Sequence, residues 1–169
     1  MGFFDLPFIA KIRRNHGLEH ATIHILSEKH KRLSMVGRSD WGGFTLYGTI
    51  DTADVQSAVE EALHRMRRGE SHLAVHPRCG TVLATTGFAT GLAAFLAIGI
   101  DSRTCDRFRW ATLPTALLAA TGAAIVAQPL GLYFQEQYTT SGYPANLEIK
   151  RITLQPNTKM VIHRVETAQ

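Results

Sequence analysis

The chain has 169 residues, a formal net charge of +4 and a mean hydropathy near zero, the profile of an ordinary domain of moderate size. Its two cysteines exclude a disulfide-built scaffold. The basic residues are not interleaved with stacking aromatics, so no nucleic-acid-binding module is legible, and no basic segment followed by an apolar one opens the chain as a secretory signal would.

Residues 5–30 read as a helix, with Asp5 as N-cap and Pro7 tolerated in the first turn. Gly2 alone does not make a myristoylation site, because position 6 is Leu rather than Ser or Thr. At helical spacing Ile9, Ile12, His16, Glu19, His20, Ile23 and Ser27 share one side, which is expected to be buried. Within it, His16-Gly17-Leu18-Glu19-His20 is an H-x-x-E-H arrangement. Positions i, i+3 and i+4 are neighbours on a helix, so two imidazoles and a carboxylate project together. Inverted zincin-type sites are built this way, with His holding a metal and Glu handling the proton of its water. The bland alternative is a hydrogen-bonded pair of core histidines. Gly17, unfavourable inside a helix, suggests close approach by another segment.

Strands are expected at Leu33–Val36 and Phe44–Ile50, joined by a turn over Gly37–Gly43 that carries Trp41 as a loop or interface anchor. Asp51 then caps a second helix ended by Gly69. Its apolar set, Val55, Ala58, Val59, Ala62, Leu63 and Met66, leaves Glu60 and His64 on the solvated side. His24 and His30 are read as surface or flanking residues. A short strand, Ser71–His76, stops at Pro77.

His76-Pro77-Arg78-Cys79-Gly80-Thr81 supplies a second candidate cluster, since H-x-x-C in a turn can bring imidazole and thiolate to one ion. Uncharged runs follow at 80–100 and 110–134. Each reaches the roughly 20 residues needed to cross a bilayer as a helix, and Gly87-x-x-x-Gly91 would let helices approach closely. A buried helical hairpin in a soluble core is the competing reading. Arg103, Arg107 and Arg109 lie in the intervening loop and the other 15 Lys and Arg lie outside the hairpin, which favours both termini in the cytoplasm. Cys79 and Cys105 fall at opposite ends of the first span and cannot pair. Beyond the hairpin, Gln135–Asn146 is polar, and Leu147–Leu154 and Lys159–Val165 form a β-hairpin around Gln155-Pro156-Asn157-Thr158, with His163 at the surface.

The expected architecture is an α+β membrane protein. An α-β-β-α-β domain completed by a C-terminal β-hairpin (residues 1–79 and 135–169) carries an inserted transmembrane hairpin (80–134). Its partners are the lipid bilayer, whose anionic headgroups suit the basic charge, and other membrane subunits, without nucleic acid. His16, His20, His76 and Cys79 are the expected metal ligands. Zn2+ fits their mixed N and S donors best, with iron or another divalent transition metal as the alternative. Filled by all four, the site is closed and structural; with three ligands and a water, Glu19 is the catalytic base.

HGLEH on the N-terminal helix, with HPRCGT leading into a two-span hairpin, resembles a group of uncharacterised bacterial membrane proteins. Its members carry HGxEH and HPxCGT boxes, and some are described as predicted metal-dependent enzymes. The resemblance covers roughly residues 14–100 and implies His16, Glu19, His20, His76 and Cys79 as functional positions, but no substrate. Larger members commonly read HGAEHK, whereas Leu18 and Ala21 stand here. The functional expectation is a metal-dependent hydrolase at the cytoplasmic bilayer surface acting on a peptide or lipid-linked substrate. The alternative is a non-catalytic subunit or assembly factor with a structural zinc. Either way the metal is expected at headgroup depth, with the N-terminal helix against the start of the hairpin, Ile9, Ile12 and Ile23 buried there, and Gly17 at the closest contact.

Overall fold

The computed structural model describes residues 6–102, 110–155 and 160–169. The chain forms two compact units, one of residues 1–76 and 136–169 and the other of residues 77–135.

In the first unit, two helices cover an antiparallel four-stranded sheet. Helix α1 spans Pro7–Lys29, β1 Val36–Asp40, β2 Gly43–Tyr47 and α2 Thr52–Arg67; β3, Glu148–Gln155, and β4, Ile162–Ala168, come from the far end of the chain. The strand order is β1-β2-β4-β3. The C-terminal hairpin therefore joins the sheet through β4, pairing Phe44 with Val165 and Leu46 with His163. Phe44, Leu46 and Val165 meet Leu18, Ile25 and Leu26 of α1 and the apolar stripe of α2 in one core.

Helix α2 buries Val55, Ala58, Val59, Ala62, Leu63 and Met66, the set its periodicity predicts, and leaves Glu60 and His64 exposed. Helix α1 departs from expectation. Its first described residue is Leu6 at the N-cap position, and Asp5 lies outside the described residues. Asn15, Gly17–Thr22, Ile25 and Leu26 are buried, whereas Ile9, Ile12 and Ile23 are only partly covered. The reason is packing on several sides at once, because α1 touches α2, β1, β2 and the turn at Ser71–Ala74. A helix so enclosed has no single apolar stripe.

Strand boundaries also move, the first strand running over Val36–Asp40 rather than Leu33–Val36. The first hairpin turns at Trp41 and Gly42, because Asp40 pairs with Gly43 and its carboxylate accepts the Gly42 N–H at 2.8 Å. Ser71–Ala74 is one turn of 3-10 helix rather than a strand. His163 is fully buried, not at the surface, since β4 directs His163, Val165 and Thr167 inward. The turn expected at residues 155–158 falls largely outside the described residues.

The second unit is a helical hairpin of α3, Gly80–Ser102, and α4, Leu113–Phe134, the latter preceded by a short 3-10 turn, Trp110–Thr112. Both helices are long and apolar enough to cross a membrane, and of their most apolar windows 0% and 11% are buried, unlike the core helix of a soluble protein. Thr85, Thr90 and Thr121 donate to carbonyls four residues back, which satisfies their hydroxyls without water. Among the described residues, the expected close approach at Gly87 and Gly91 does not occur, as nothing lies within 4 Å of where their Cβ atoms would be. Gly131 of α4 provides it instead, against Val82 and Thr85. The inter-helix loop residues Arg103, Cys105, Arg107 and Arg109 lie outside the described residues.

Candidate metal centre

Two backbone carbonyls of the first unit meet the histidines in the middle of α1. His16 Nδ1 lies 2.9 Å from the carbonyl oxygen of Thr139, and His20 Nδ1 lies 2.9 Å from that of Ala74. A carbonyl only accepts, so both Nδ1 atoms carry a proton, and in a neutral imidazole so held the lone pair lies on Nε2. The histidine rings sit edge to face with centroids 4.5 Å apart. This is how metal-bound imidazoles are oriented, one nitrogen to a carbonyl and the other to the ion.

His16, His20 and Cys79 each offer a ligand atom, and the three could hold a metal ion. Cys79 is buried. His76 is not in the group; its ring centroid lies 6.2 Å from that of His20.

Glu19 is placed differently from its neighbours in the motif. It is 4% exposed and lies against Gly37 of β1, whose missing side chain makes room for it; a Cβ there would collide with Oε1 and Cδ of Glu19. Oε2 is buried with no hydrogen-bond partner among the described residues. Burial pushes the carboxyl pKa up to about 7, against the opposing pull of His16 and of a hydrogen bond from Ser39. Inward-facing Gly37 and Ser39 thus make an exposed-looking strand into a polar cradle. Sequence reading assigned them to a turn, and their only signal was the pair of small residues in a short strand.

Asn15 is a second residue missed by sequence reading. Its side-chain amide donates to the Asp40 carbonyl at 2.8 Å and accepts from Thr167 Oγ1 at 2.8 Å, tying the turn of α1 that carries His16 to strands β1 and β4. Among the other histidines, His24 faces Glu28 and His30 faces Asp54, each at 3.2 Å and partly exposed. His163 Nε2 meets Thr52 Oγ1 at 3.0 Å, and burial holds its pKa below the ordinary imidazole value.

A protein family of unknown function, DUF6391, matches residues 11–152, and the chain belongs to it. The chain is also similar to an uncharacterised protein of the bacterium Picosynechococcus sp., with 37% identity over 171 residues covering 93% of this chain and 76% of that protein. No solved structure matches.

Proposed function

We propose that this protein is a membrane-inserted, metal-dependent hydrolase in which His16, His20 and Cys79 hold a divalent ion and Glu19 is the general base. The observation that carries the reading is a His/His/Cys group that could hold an ion, with the buried carboxylate of Glu19 between the two histidines on the same helix. Two imidazoles and one thiolate are a zinc-type donor set that leaves a fourth position for water. A bound ion would supply Lewis acidity and make that water acidic. Glu19, with one oxygen unpartnered and a pKa near neutrality, is suited to take a proton from the attacking water and return it to the leaving group. The apolar helices α3 and α4 would place this chemistry at a bilayer surface, which favours a peptide or lipid-linked substrate.

The second reading is a closed structural site in a subunit or assembly factor, favoured by the nearness of His76 to His20. Glu19→Gln separates the two. As a base, its loss should lower activity by about 10²–10⁴-fold with metal content and melting temperature unchanged. An indifferent Glu19→Gln beside a destabilising Cys79→Ser would favour the structural site. Insertion is tested by alkaline carbonate extraction, in which the protein should stay with the membrane pellet; release into the supernatant would end the membrane reading.

A further inference from the structure

The polar stretch that follows α4 does more than return the chain to the sheet. Residues Gln135–Thr139 form a single π-helical turn, a rare conformation that a neighbouring element must hold in place. Within the first unit that element is α1. Arg13 Nη2 donates to the Gln137 carbonyl at 2.7 Å and to the Thr140 carbonyl at 3.1 Å. The Arg13 carbonyl in turn accepts the Ser141 N–H at 2.9 Å. Between the two clasped carbonyls lies that of Thr139, which accepts from His16 Nδ1. Arg13 and His16 are three residues apart on one helix, so one turn of α1 supplies both the clasp and the ligand. Gly17 completes the fit, since a Cβ there would collide with the Ser141 carbonyl.

We propose that Arg13 is a positioning residue of the metal centre. By holding the carbonyls of Gln137 and Thr140 it fixes Thr139 against His16 Nδ1 and so commits His16 Nε2 to the ion. This rests on the metal reading above. A planar guanidinium can bridge two carbonyls at a fixed spacing, whereas an ammonium on a flexible stem cannot hold both in one geometry. His20 needs no such clasp, because its acceptor, Ala74, belongs to a 3-10 turn packed on α1.

The test uses the full-length protein in detergent, stripped of metal and titrated with Co2+ against a competing chelator, with the visible d–d and thiolate-to-cobalt bands as readout. Wild type should bind Co2+ with thiolate character. Arg13→Gln should weaken binding by about 10–100-fold, the usual cost of removing an outer-shell partner of a ligand, and Arg13→Lys should fall between. Arg67→Gln removes a comparable guanidinium clasp, from Arg67 to the Leu147 carbonyl, and should leave Co2+ affinity unchanged. Wild type that takes up no Co2+ removes the metal reading and this inference together. Normal wild-type uptake with unchanged affinity in folded Arg13→Gln and Arg13→Lys overturns this inference alone, even if both variants melt earlier.

Discussion

At the scale of single residues, the contrast between Glu19 and His163 shows how burial is resolved in two ways. Both were legible as ionisable groups, but only Glu19 announced itself, through its two His neighbours. His163 lies between Ile162 and Arg164, and nothing in that stretch fixes which parity of the strand points inward. Its depressed pKa has a defined sign. The unfolded chain takes up a proton near the ordinary value of 6.5, whereas the folded chain does so only at lower pH. The contribution of neutral His163 is therefore fully present above the ordinary pKa and is lost as pH falls through and below it. As pH falls from about 7.5 to about 5.5, wild type should lose stability more steeply than His163→Gln. Parallel pH profiles in thermal or chemical denaturation would contradict this.

At the scale of elements, legibility followed the number of faces each helix buries. Helix α2 packs on one side only, so its stripe was readable residue by residue. Helix α1 is enclosed, and residues Gly17–Thr22 are all buried, so no periodicity could separate core from site. Gly17 does mark a close approach, and the nearest atoms are those of the Ser141 backbone and the Ala74 side chain. Replacing a mid-helix Gly with Ala normally stabilises by ~1 kcal/mol. Here the added Cβ meets a backbone oxygen that cannot rotate away, so Gly17→Ala should instead destabilise by about 1–3 kcal/mol, and Gly17→Leu by more. A rise in melting temperature for Gly17→Ala would refute that packing.

At the scale of the whole molecule, residues separated by more than a hundred positions are brought to one helix. The sheet is closed by β4 from the C-terminus, and the carbonyl that orients His16 comes from residue 139. The apolar helices and the HxxEH spacing could be read because each is a local pattern. The C-terminal hairpin was also legible as part of the domain, but the Thr139 carbonyl at His16 was not, because a carbonyl partner and a π-turn leave no residue-type signature. The same limit applies to Gly37, whose role exists only through its position under Glu19.

The central claim is that His16, His20 and Cys79 form one metal centre, and metal analysis of full-length protein purified without chelator tests it most directly. Wild type should carry about one equivalent of zinc or another divalent transition metal per chain, with His16→Ala, His20→Ala and Cys79→Ser each losing most of it. Wild-type protein that is folded and free of stoichiometric metal, and that takes none up when zinc is supplied, would contradict the claim and leave the two histidines as hydrogen-bonded members of the core.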